Sequence, residues 1–222
     1  MAFVNRIDIQ GIRSVGPGDE DKVSVKFYKP FTLITGENGA GKTTVIEALK
    51  YAASGSEPPG AKVGGWIHHP KAETSAAAKA GVKRGRGKVQ AGKVLARIQC
   101  QFEAVDKTGK TKLISVLRNL QGTIDPKKNK MTKSTLDGAI AVASIEGIKE
   151  RETTGMKIED INKELNTYIR VPKPLLEYVI FCHQEDTLWM FSEGKLLKEK
   201  FDEIFQSKEY VEGESVYNKP ID

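Results

Sequence analysis

The chain has 222 residues, 39% hydrophobic and 29% charged, a balance that excludes a disordered polypeptide and fits one core or one and a half domains. Lys and Arg outnumber Asp and Glu by 35 to 29, and the net charge of +6 suits a polyanionic partner such as nucleic acid or nucleotide phosphate. Two distant cysteines, Cys100 and Cys182, argue against a disulfide scaffold, and neither a signal peptide nor the ~18-residue apolar run of a membrane span is visible.

Phe3, Ile7 and Ile9 share one alternation phase and predict a strand. The turn residues Gly16–Asp19 follow, then Val23, Val25 and Phe27 alternate as a hairpin partner. Phe31–Thr35 (FTLIT) is a short apolar-rich run, expected as a strand buried on both faces. Val45, Ile46, Leu49 and Ala52/Ala53 recur at helical spacing up to Gly55. Residues 56–65 read as a loop, and residues 79–93 as a mobile basic loop with six Lys/Arg and no acid. Val94, Ala96, Ile98, Cys100 and Phe102 alternate, KTGK turns, and KLISVLRNL returns, which predicts a second hairpin. A second basic loop is expected over 125–133, and a helix over IEDINKELNTYI with Ile158, Ile161, Leu165 and Tyr168/Ile169 on one face. VPKP breaks it. EYVIFCHQED is expected as a buried strand, with Trp189, Met190 and Phe191 beyond it as core packing. From Ser192 an amphipathic helix carries Leu197, Phe201 and Ile204/Phe205, the opening of a coiled coil, before a tail over 212–222.

The stretch GENGAGKTT, Gly36–Thr44, matches G-x-x-x-x-G-K-[ST] between a strand and a helix. Its glycines let successive N–H groups converge on one anion, and the helix start adds its own free N–H groups and positive pole. Lys42 sits badly at that pole unless an anion lies between them. A triphosphate resolves the conflict. The Lys42 ammonium is then expected on the β/γ-phosphates of a nucleoside triphosphate and the Thr43 hydroxyl on Mg²⁺. Hydrolysis also needs a carboxylate at the end of an apolar strand. Tyr178–Asp186 places His183 and Gln184 before its acids, and Ala139–Glu146 fits worse. The missing carboxylate implies that the chain is half of an active site.

GENGAGKTTVIEALKY, FCHQED and SEGKLLKEKFDEIF together resemble the Rad-fifty family of double-strand-break-repair ATPases, which is SMC-like and within the ABC ATPases. GIRS (Gly11–Ser14) and PPGAKVGGWIHHPK (Pro58–Lys71) fit the same pattern, and the resemblance looks eukaryotic and spans residues 2 to about 210. It implies an α/β fold, the N-terminal lobe of an ABC-type P-loop ATPase head, with a mixed sheet of antiparallel hairpins and a RecA-like strand–P-loop–helix. The lobe is expected over 1–195, with the helix toward a coiled coil over 196–211. The C-terminal lobe would supply the absent carboxylates. Two heads would sandwich two ATP molecules and control DNA binding and the Mre-eleven nuclease, in the nucleus on chromosomes. On this resemblance Asn38, Gly39, Ala40, Gly41, Lys42, Thr43 and Thr44 form the phosphate loop. Gln184 touches Mg²⁺ and the attacking water, Arg13 lies near the phosphates, and Ile67 and His69 lie on a segment passing the nucleotide. The family usually shows Asp where this sequence has His69.

Two other functions remain open at this level. A self-contained phosphotransferase such as a small kinase requires a lid arginine cluster, which is not found. A non-enzymatic DNA-binding module with a vestigial cradle predicts DNA affinity indifferent to Lys42. The spacing of His68, His69 and His183 fits no zinc site, and structural, hydrogen-bonded histidines are expected. FSEGK (Phe191–Lys195) lacks the paired glycines of an ABC signature and reads as a helix start capped by Ser192. The basic loops are expected on DNA phosphates, independent of base sequence.

Overall fold

Alternation decides the sheet. Val94, Ala96, Ile98, Cys100, Phe102 and Ala104 occupy every second position of one strand, and each is at most 2% exposed. The computed structural model describes residues 2–58, 65–69, 93–125, 130–145, 148–181, 191 and 193–205. It divides into two units, Met1–Arg170 and Val171–Asp222.

In the first unit six strands form one sheet: β1 (Phe3–Gln10), β2 (Val23–Lys26), β3 (Lys93–Val105), β4 (Thr111–Asp125), β5 (Lys130–Ser144) and β6 (Lys149–Met156). Their order is β2-β1-β3-β4-β5-β6 and every pairing is antiparallel. Both expected hairpins form, in the registers Ile7↔Val25 and Cys100↔Val116. One face of the sheet is covered by α1 (Lys42–Ser54) and α2 (Ile158–Ile169). Ile7, Ile9, Ile114, Val116, Leu120 and Ile140 meet Val45, Ala48, Ala52, Ile161 and Leu165 in the core. The α2 stripe is the one its spacing predicts, with Ile161, Leu165 and Ile169 buried.

Two expectations change within this unit, and one strand appears that no sequence pattern announced. Phe31–Thr35 forms no strand, and Phe31 and Leu33 are 74% and 70% exposed. A strand buried on both faces needs neighbours on both edges, and among the described residues nothing pairs with it. The expected second basic loop is largely strand, because β4 runs to Asp125 and β5 starts at Lys130, leaving residues 126–129 between them. β6, whose sequence KERETTGM has no apolar alternation, takes its register from β5 as an exposed edge. The basic segment 79–92 and the tail 206–222 lie outside the described residues.

In the second unit, α3 (Lys173–Leu175) runs into a π-helical turn over Leu176–Ile180. The buried strand expected from Glu177 is therefore helical over 177–180. Phe181 N–H closes the turn on the Leu176 carbonyl at 2.8 Å. α4 (Gly194–Ile204) starts with Glu193 as its N-cap; Ser192, the expected cap, lies outside the described residues. Tyr178 O–H donates to Glu203 Oε2 at 2.8 Å and so ties the π turn to α4. Phe201 and Phe205 stack with ring centroids 6.0 Å apart. Phe191 is 81% exposed and is not core packing; Trp189 and Met190 lie outside the described residues.

Candidate nucleotide site

α1 begins at Lys42 without the usual devices of a helix start. Its N-cap is Gly41, no side chain caps it, and its first turn carries no acid. The first N–H groups of a helix lack intrahelical partners, so this end remains open to an anion. Gly41 has φ 92°, the left-handed region where other residues are strained. That conformation turns the chain from the loop Gly36–Ala40 into the helix. Ala40 N–H donates to the Glu37 carbonyl at 3.1 Å and Val45 N–H to the Gly41 carbonyl at 3.2 Å.

Lys42 Nζ donates to the carbonyls of Gly36 at 2.7 Å and Glu37 at 2.9 Å. The ammonium thus folds back over the loop that precedes the helix. Asn38, Gly39 and Ala40 are exposed at the loop tip, Thr43 is exposed on the first turn, and Thr44 is buried beneath it. These features fit a phosphate chain: an uncapped helix end, a first helical turn with no acidic side chain, and the Lys42 cation folded over the loop. Among the described residues no group of three or more His, Cys, Asp or Glu is placed to hold a metal.

A second element approaches from β1. Gly11 has φ 69°, and a Cβ there would stand 2.3 Å from the Leu95 carbonyl oxygen, so only glycine fits against β3. The chain then pairs with residues 66–68: Ile12 and Ile67 form a bridge, Arg13 N–H donates to the Trp66 carbonyl at 2.9 Å, and His68 N–H to that of Gly11 at 2.9 Å. His68 is buried, and its Nδ1–H donates to the Arg13 carbonyl at 2.7 Å, so it is the structural histidine its spacing suggests. Trp66 packs edge-on against Tyr51 of α1, centroids 4.9 Å apart. Burial pushes the Tyr51 hydroxyl up to about 12. Ile67 is buried and turns toward β4, 3.1 Å from where a Cβ at Gly122 would stand, while His69 is half-buried.

Arg13 adopts φ 48° and donates through Nη2 to Glu47 Oε1 at 2.6 Å. Glu47 lies on α1 and its side chain is 1% exposed. The motif carries no sign of this acid's role; only its place five residues after Lys42, on the helix the motif starts, marks it. Arg13, Lys42, Thr43 and the loop Asn38–Gly41 are thus all placed on, or bonded to, the loop and helix of the motif. Gln184 and His183 lie outside the described residues.

The model of the AAA domain family matches residues 6–219. The chain belongs to the AAA domain family. It is also similar to curated DNA repair proteins. It is 38% identical over 211 residues to DNA repair protein RAD50 of Saccharomyces cerevisiae, covering 95% of this chain and 14% of that protein. It is 38% identical over 211 residues to rad50 of Schizosaccharomyces pombe, with the same coverage, and 37% identical over 227 residues to RAD50 of Drosophila melanogaster, covering 100% of this chain and 15% of that one. The resemblance read from GENGAGKTT, FCHQED and SEGK is borne out by these relatives. This AAA domain spans about one seventh of the length of the curated relatives it matches. Among solved structures it overlays the recombination mediator protein RecF–ATP at TM-score 0.35 and 15% identity, over 72% of this chain and 30% of that one, a likeness too low to bear on fold or function.

Proposed function

We propose that this chain is the ATP-binding lobe of an ABC-type DNA double-strand-break-repair ATPase. The observation that carries it is the start of α1: an uncapped helix end reached through left-handed Gly41, with Lys42 folded over the loop before it. The relatives, all DNA repair proteins, supply the process.

In this reading the N–H groups of Asn38–Thr44 receive the β-phosphate, and Lys42 leaves the Gly36 and Glu37 carbonyls for the β/γ-phosphate oxygens. Exchanging two neutral acceptors for anionic ones strengthens both bonds. Thr43 and Gln184 hold Mg²⁺, which supplies charge neutralisation of the phosphates. The Gln184 amide accepts from the attacking water without trapping its proton. Arg13 reaches the phosphates across α1. The backbone at Ile67 and His69 passes the nucleotide, since the Ile67 side chain is committed to the core. The lobe spans 1–195 and leads through 196–211 toward a coiled coil, with 212–222 as a linker.

Hydrolysis requires the carboxylates of a C-terminal lobe and an ATP-sandwiched pair of heads. Closing that sandwich governs contact with DNA phosphates and with the Mre-eleven nuclease, in the nucleus. The test is ATP turnover by this chain alone, with an added C-terminal lobe, and with Lys42→Ala or Gln184→Ala. Turnover is expected only with both lobes, and each substitution should lower it at least tenfold, the loss of one interaction with a charged group. Rapid turnover by the chain alone would overturn the two-lobe reading.

A further inference from the structure

Arg13 is held more firmly than a surface arginine needs to be. It is a non-glycine residue in the left-handed region, at φ 48°, a conformation that is costly unless its surroundings impose it. Three fixtures impose it here. Its N–H is bonded to the Trp66 carbonyl, its carbonyl to the His68 ring, and its guanidinium to Glu47. The ion pair is lopsided: the Arg13 side chain is 41% exposed, the Glu47 side chain 1%. The acid is thus a fixed, buried post, and the base is the end that faces outward.

We propose that Glu47 is a positioning residue, setting the Arg13 guanidinium for the phosphates of the nucleotide bound at the start of α1. The proposal rests on the reading of that helix start as the phosphate site and of Arg13 as a phosphate contact. Glu47 and Lys42 lie on one rigid helix, so a guanidinium tied to Glu47 is placed in the frame of the loop itself. A guanidinium has five N–H donors in a fixed fork. One nitrogen, Nη2, serves Glu47 at 2.6 Å, and the rest of the fork remains to meet an anion. Drawing Arg13 away entirely would strip a buried carboxylate of this cation, which is costly. The arrangement therefore favours a nucleotide that is met with the pair intact. A latch that ATP must break would behave oppositely, because removing Glu47 would release Arg13 and tighten binding.

The experiment measures the Mg–ATP dissociation constant and the melting temperature of the full-length chain as wild type, Arg13→Ala, Glu47→Gln and the double variant. Glu47→Asp is added as a variant that keeps the charge and shortens the reach, in case Glu47→Gln does not fold. Arg13→Ala should weaken ATP binding about tenfold, as expected for one hydrogen bond between charged groups. Glu47→Gln and Glu47→Asp should each weaken it several-fold, and the double variant should bind no worse than Arg13→Ala alone. A purely structural acid would lower the melting temperature and leave ATP affinity as in wild type. That result, a tighter Glu47→Gln, or additive losses in the double variant would overturn the positioning role while Arg13→Ala still weakened binding. If Arg13→Ala itself changed nothing, the phosphate role of Arg13 would fall, and the positioning role with it.

Discussion

Arg118 shows how one side chain can fix the helix that carries a site. It sits at an inward position of β4, 1% exposed, beneath Tyr51, whose ring centroid is 5.5 Å away. Its Nε donates to the Ala52 carbonyl at 3.0 Å and its Nη2 to Asn162 Oδ1 at 2.7 Å. The last carbonyls of a helix lack partners and form its negative pole, so a cation there serves α1 as an anion serves its start. The same contact joins α2 to the sheet. Burial pulls the Arg118 pKa down to about 10, so the fold tolerates its charge rather than prefers it. Arg118→Ala should nevertheless cost about 3 kcal/mol, because it leaves a cavity and strands the Ala52 carbonyl. A urea midpoint checks this; a loss near zero would show that the helix end needs no cation. The sign of the pH effect is separate. The unfolded chain holds the Arg118 proton more tightly than the folded one, so the arginine's contribution to stability grows as pH rises above about 10. The gap between wild type and variant should widen in that window.

Between elements, the outer face of the sheet is tied by polar groups. Asp8 of β1 accepts from Ser24 Oγ at 2.5 Å on β2 and from Arg6 Nε at 2.8 Å, and pairs with Lys22 Nζ at 3.3 Å. Burial pushes its carboxyl up, but the donors of Ser24, Arg6 and Lys22 outweigh it and hold the group below the usual carboxylate range. A depressed acid stabilises the fold above its unfolded pKa and loses that contribution as pH falls through the folded one. Asp8→Asn should therefore cost about 1 kcal/mol at neutral pH, and the difference should close below about pH 4. Thermal unfolding of both proteins from pH 7 to pH 3 reads this directly. The contrast between β3 and Leu176–Ile180 explains what the sequence could reveal at this scale. β3 has one dry face and one wet one, so its alternation is written in the residues themselves. Tyr178–Phe181 is an unbroken apolar run, and such a run fits a strand or a helical turn equally; here it is a turn that leaves Val179 and Ile180 more than half exposed. β6 has no alternation because both its faces are exposed. The loop Gly36–Thr44 is legible because its spacing is dictated by an anion's shape, whereas Glu47 is not, since its partner lies 34 positions away and only the fold brings them together.

For the molecule as a whole, the informative feature is the apolar surface that the first unit leaves outside. Phe31 and Leu33 precede the phosphate loop directly and are 74% and 70% exposed, though their sequence is that of a two-sided buried strand. Large apolar side chains grouped at an exposed site mark an interaction surface. If the proposed C-terminal lobe joins this one, these two side chains are the apolar surface it would cover, and pairing there would set the strand that feeds Gly36. Replacing both, Phe31→Ser with Leu33→Ser, removes about 3 kcal/mol of apolar burial at that contact, roughly a hundredfold in affinity. Titration of a separately made C-terminal lobe should show that loss, while the lone variant should self-associate less than wild type by light scattering. The helix end at Lys42 and its ion pair Arg13–Glu47 lie on other elements, so the variant should still unfold cooperatively. If instead the lobe bound wild type and variant alike, the exposed pair would belong to some other contact, and the missing carboxylate would have to be sought by a different route.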